Sequence, residues 1–139
     1  MNLNRNSLVG YLRRKKLIGQ HESVLAVRQS GDGLKNQVYL VATAERRLLV
    51  KQAHSRAQVK ERWWIDRKRI FAEKNCIDVL ANILPPHVIP DTLLEDRTDF
   101  ILVTTAPPRD AVLWERELTD GRIDLQIAAQ AGELLAAVH

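Results

Sequence analysis

Apolar and polar residues change their spacing several times along this chain, and each change marks an element. Leu8, Tyr11, Leu12 and Lys15 share a helical face after Ser7, a residue type that caps helices, and Gly19 follows as a stop. A first helix is therefore expected over about 8–17, as a lid on the core. Alternation then replaces the helical period. Val38, Leu40 and Ala42 alternate with Tyr39 and Val41, and Leu49, Lys51 and Ala53 alternate with Leu48 and Val50. With the run 23–28 these predict strands over 23–28, 37–43 and 47–53, the last two joined by a turn at Ala44-Glu45-Arg46.

Helical spacing returns over about 68–83, where Ile70, Glu73, Ile77, Leu80 and Leu84 fall on one stripe. An extended segment 91–95, a turn at Asp96-Arg97-Thr98-Asp99 and the apolar run Phe100–Val103 read as a second hairpin. After Pro107-Pro108 come a short helix near 112–119 and a last helix from about 124, with Ile127, Ala131, Leu134 and Val138 on one stripe. The order predicts an α+β fold: a five-stranded antiparallel sheet with one major helix packed on it, followed by trailing helices. The expected divisions are a helical segment 1–20, a sheet domain 21–106, and the first helices of a further lobe over 107–139.

The length of 139 residues suits one compact core. No run approaches the roughly 20 apolar residues of a membrane helix, and the amino terminus lacks the apolar block of a secretion signal, so a cytoplasmic protein is expected. The lone Cys76 can form no internal disulfide. A formal charge of +4 and the basic groups Arg13-Arg14-Lys15-Lys16, Arg46-Arg47 and Arg67-Lys68-Arg69 can attract a polyanion, a triphosphate or a nucleic acid, although acids and apolar residues interrupt each group and an ordinary solvated face is the first reading of each. His21, His54, His87 and His139 have no ligand spacing, so no metal site is expected within the chain.

Candidate chemistry centres on three features. Ser30-Gly31-Asp32-Gly33-Leu34-Lys35-Asn36 joins the first two strands, where backbone N–H groups can face a phosphate. Lys51 lies near the end of an apolar strand. Glu73 interrupts a core-facing helical stripe, and a carboxylate there needs a cationic or hydrogen-bonding partner. Lys51 is the natural one. A strand lysine held by a helix glutamate, behind a glycine-bearing loop, is the arrangement by which kinase folds place an ammonium on the phosphates of ATP.

From these residues the chain resembles the amino-terminal lobe of the aminoglycoside-phosphotransferase and methylthioribose-kinase family, within the protein-kinase-like superfamily. Gly33–Tyr39 is similar to the family's Gly-x-x-Asn-x-Val-Tyr/Phe stretch, Leu48–Ala53 to its strand-lysine segment, and Arg69–Glu73 to its Arg-x-x-x-Glu helix. Leu84–Pro90 resembles the turn into the fourth strand, Phe100–Ala106 the fifth strand and hinge, and Ala129–His139 the following helix. The resemblance implies an ATP-binding lobe of a small-molecule kinase that works with magnesium and transfers the γ-phosphoryl group to a hydroxyl. Its implied nucleotide contacts are Gly31, Asp32, Gly33, Lys35, Asn36, Lys51, Glu73, Thr104 and Ala106, with the Thr104 carbonyl and Ala106 N–H reading adenine because Pro107 and Pro108 have no N–H. The family's His-x-Asp catalytic loop and metal ligands have no counterpart here, so no catalytic residue is assigned, and the chain is expected to be a truncated lobe, inactive alone. The small-molecule acceptor belongs to the missing part. An uncovered stripe over 124–139 predicts a homodimer. Two other readings stay open: a non-catalytic nucleotide-binding or regulatory module, and, less favoured, a basic nucleic-acid-binding domain using Arg67–Arg69 with Trp63 and Trp64.

Overall fold

The computed structural model describes residues 2–29, 36–54 and 66–139. Five strands, β1 (Val24–Gln29), β2 (Asn36–Thr43), β3 (Arg47–Ala53), β4 (Thr92–Asp96) and β5 (Ile101–Thr105), form one sheet in the order β1-β2-β3-β5-β4. All four pairings are antiparallel. The helices are α1 (Arg5–Arg14), α2 (Arg69–Ala81), α3 (Trp114–Thr119) and α4 (Leu125–Val138). The α+β class and the five antiparallel strands agree with the alternation in the sequence.

The first helix begins earlier than its pattern predicts. Asn4 is the cap, its side chain accepting from the N–H groups of Asn6 and Ser7, while Ser7 Oγ accepts from the Asn4 N–H. Ser7 is thus the reciprocal member of a capping box three residues inside the helix. Nor is α2 the one major packed helix. Leu8, Tyr11 and Leu12 of α1, with Leu3 and Ile18, pack on Tyr39, Val41, Leu48, Val50, Ile101 and Val103 as the principal core. The second core lies on the opposite sheet face, where Ile70 and Phe71 of α2 meet Ala53 and Leu102. The sheet is therefore covered by a different helix on each face, as strand alternation requires when β3 and β5 are apolar on both sides.

Two polar groups fix α1 and the residues before it. Gln52, buried on the α1 face of β3, accepts from the Leu3 N–H at 2.8 Å and donates to the Asp99 carbonyl at 3.1 Å. Asp96, buried at the end of β4, accepts from the Tyr11 hydroxyl at 2.8 Å and pairs with Lys15 Nζ at 2.8 Å. Its other oxygen accepts from the N–H groups of Thr98 and Asp99, closing the β4–β5 turn. Burial works to raise the Asp96 pKa, but Lys15, the Asp99 N–H and Tyr11 together outweigh it and hold the group at about 2. Burial, then the bond to Asp96, pushes the Tyr11 phenol up.

Phe100 belongs to the turn and not to the strand that the apolar run suggests. Its φ of 55° lies in the left-handed region that a bulky residue adopts at a cost. Its ring packs on Phe71 at 6.0 Å between centroids, and the Arg67 guanidinium lies 4.0 Å from its own centroid.

Candidate nucleotide cleft

The α2 face of the sheet is only half covered. Register places Val38 opposite Lys51, Leu40 opposite Leu49 and Ala42 opposite Arg47. On the outer side Ala26 pairs with Ala42 and Arg28 with Leu40. Alternation puts all of these on one face, together with Leu102 and Thr104 of β5. Helix α2 closes the end at Ala53 and Leu102, while Val38, Leu40, Ala42 and Leu49 remain half-buried beyond it. The result is an apolar shelf with Lys51 at the margin of the covered part.

Lys51 Nζ donates to Glu73 Oε1. The lysine side chain is 22% exposed and the glutamate 37%, so the pair is accessible from the shelf. The local reason is simple: Glu73 is one turn after Ile70, whose burial points that side of α2 at the sheet, and Lys51 is the polar residue of β3 facing it. An ammonium held this way keeps two donor directions for an anion on the shelf. Phe71, which the stripe does not include, is the other α2 residue that anchors the helix there.

The remaining sequence-derived positions are distributed unevenly. Gly31, Asp32, Gly33 and Lys35 lie outside the described residues, as do Trp63 and Trp64. Asn36 opens β2 next to that loop and pairs with Ala53. Thr104 is buried in β5 opposite Leu49, and Ala106 follows the strand. The Ala53 N–H donates to the Phe100 carbonyl and the Ala106 N–H to the Arg47 carbonyl at 3.0 Å. Hydrogen-bonded pairs alternate along an antiparallel ladder, so Leu49 and Thr104 also exchange both bonds. The expectation that the Thr104 carbonyl and Ala106 N–H read adenine thus meets a ladder that already uses both groups.

At the far end of the shelf a groove of about 350 Å³ has Ala26, Leu40 and Ala42 among its lining and three guanidinium groups, Arg28, Arg47 and Arg109. Arg47 and Lys51 are four residues apart on β3, which separates them by about 14 Å along one face. This cluster was not visible in sequence, because its arginines come from β1, β3 and the segment after β5 and only the strand register unites them.

The chain is similar to a methylthioribose kinase. The protein from Pectobacterium carotovorum subsp. carotovorum (strain PC1) is 32% identical over 136 residues, a stretch covering 94% of this chain and 33% of that enzyme. This chain therefore spans about a third of the length of the relative it matches. No family model matches it. The likeness supports a kinase-like relationship along nearly the whole chain, compatible with the α+β sheet and the cleft just described. Among the described residues, no three His, Cys, Asp or Glu side chains converge as a candidate metal site. No helix of the described residues is long and apolar enough to cross a membrane.

Proposed function

We propose that this chain is the nucleotide-holding lobe of a small-molecule kinase, with the α2 face of the sheet as the nucleotide cleft. The observation that carries the reading is the Lys51–Glu73 pair at the margin of an open apolar shelf. Lys51 would place its ammonium on phosphate oxygens of the nucleotide, ATP by the resemblance, and Glu73 would orient it; these are positioning and charge-stabilising roles, not covalent ones. Asn36 and the loop residues Gly31, Asp32, Gly33 and Lys35 would lie over the phosphates. The base would sit under Val38 and Leu49 toward Thr104 and Ala106, and an Ala106 contact to it would require exchanging the bond to Arg47. Magnesium, brought with the nucleotide, would take its protein ligands from elsewhere.

The hydroxyl acceptor, a cytoplasmic location, and pairing of the chain through 124–139 go with this reading. The sequence has no His-x-Asp. The chain alone is therefore expected to bind ATP but to transfer none of its phosphate. Exchanging Lys51 for methionine should weaken ATP binding by about tenfold, the loss of one charge-assisted contact to phosphate. Calorimetric or NMR titration of both forms checks this. Equal affinity of the native chain and Lys51→Met would remove Lys51 from the site, and turnover by the native chain would contradict the inactive-lobe reading.

A further inference from the structure

The end of the shelf remote from Lys51 carries a specificity that the resemblance does not assign. Between Thr104 and Pro108 every backbone N–H is either absent or used. Thr104 exchanges bonds with Leu49 by ladder alternation, Thr105 donates to the Asp91 carbonyl at 3.0 Å, Ala106 donates to the Arg47 carbonyl at 3.0 Å, and Pro107 and Pro108 have none. A base resting here finds its donors in side chains instead. Those available are the guanidinium groups of Arg28, Arg47 and Arg109 at the apolar groove of about 350 Å³.

Arg47 uses Nη1 on the Pro107 carbonyl at 2.6 Å, which braces it against the segment after β5 and leaves its other N–H groups for a ligand. Arg28 and Arg109 make no ion pair with any described residue. Thr43 also lines the groove, but its hydroxyl already donates to the Arg46 carbonyl and accepts from the N–H groups of Glu45 and Arg46, so the free side-chain groups there are donors, and such a groove discriminates between purines. Adenine presents an N6 amino donor beside N7, so one of its groups faces a donor and goes unpaired. A 6-oxopurine presents two adjacent acceptors, O6 and N7, which match the planar fork of one guanidinium.

We infer that this groove recognises the O6/N7 edge of a 6-oxopurine, so that the cleft holds a guanine or hypoxanthine nucleotide more tightly than an adenine one. The inference rests on the nucleotide reading above: phosphates lie at Lys51, and the base extends past Leu49 along the same face, where register sets Arg28 level with Leu40 and Leu49 and Arg47 lies about 14 Å from Lys51. Arg28 and Arg109 are the two guanidinium groups placed to present that fork, and Arg47 adds charge and fixes the wall. The apolar residues of β1 and β2 support the ring. The 2-amino group of guanine has no part, which makes ITP equivalent to GTP.

The test is an NMR titration of the full 139-residue chain with GTP, ITP and ATP, following amides of β2 and β3. GTP and ITP are expected to bind about fivefold or more tightly than ATP, the lower end of what a bidentate guanidinium contact discriminates. In the double variants Arg28→Ala/Arg109→Ala and Arg28→Lys/Arg109→Lys the three affinities should converge, because lysine keeps the charge and loses the fork. ATP binding as tightly as GTP would overturn this inference and leave the nucleotide cleft standing. No response to any of the three would overturn both. A GTP preference that survives in the lysine pair would overturn the assignment to Arg28 and Arg109.

Discussion

Asp96→Ala is expected to destabilise the chain by about 3 kcal/mol, read as a shifted midpoint in urea or thermal unfolding. The carboxylate is buried and serves four donors: the Tyr11 hydroxyl, Lys15, and the N–H groups of Thr98 and Asp99. Lys15 is 40% exposed and can return to water. Tyr11 is 1% exposed and cannot, so its hydroxyl is left without an acceptor at a cost of about 1–3 kcal/mol. The opened turn adds to that. The pH dependence has a definite sign. The folded-state pKa is depressed to about 2 from 3.8, so the stabilisation is complete above about pH 5 and is lost as pH falls through 4 toward 2. That loss amounts to about 2 kcal/mol, and Asp96→Asn should lack it while keeping most of the shape. An Asp96→Ala chain with an unchanged midpoint would mean that the principal core holds α1 without this network.

The Asp96 network also marks where sequence reasoning stops. Alternation in β2 and β3 and the i, i+3, i+4 spacing of Ile70, Glu73 and Ile77 are local properties, and they suffice to place Lys51 and Glu73 on facing elements. Asp96 looked like an ordinary turn residue because its partners, Tyr11 and Lys15, lie 85 and 81 positions away. Gln52 reads as a polar residue at a strand end, and only the docking of Leu3 explains it. The helix start moved because Asn4 and Ser7 are both capping residues, and spacing does not say which is the cap and which the reciprocal partner. The apolar run Phe100–Val103 hid a backbone reversal at Phe100, since nothing in that side chain signals a positive φ. The arginine groove depends on register across β1, β2 and β3, and the engagement of Ala106 depends on the ladder phase between β3 and β5. Both are properties of pairing, which no single segment contains.

Helix α4 leads to the second large effect, a change of assembly. Its polar residues are Gln126, Gln130 and Glu133, spaced so that they fill a single stripe, and the rest of its surface is apolar. No residue of α4 is buried, and Leu125 is 78% exposed, Leu135 61%, Val138 44% and Ile127 39%. Of the stripe Ile127, Ala131, Leu134 and Val138 identified in sequence, Ile127 and Val138 are exposed and Ala131 and Leu134 half-buried, and Leu125 and Leu135 extend it into a wider face. In α3, Leu118 is exposed as well, and Trp114 at its start is 38% exposed. Contiguous apolar surface of this kind associates, because each large aliphatic side chain removed from water contributes about 1.5–3 kcal/mol. In a solution of this chain the partner at hand is a second copy, and a two-fold pairing places the same face of α4 on itself. The chain is thus expected to sediment as a dimer, and Leu134→Glu with Val138→Glu should weaken association by at least about a hundredfold, since two desolvated carboxylates replace two favourable burials. The circular dichroism of the sheet and the Lys51–Glu73 contact should be unchanged in that variant, because neither strand nor α2 residues pack on α4 in the described core. A native chain that sediments as a monomer at high micromolar concentration would rule the pairing out, and a dimer that persists in the double variant would move the interface to another face.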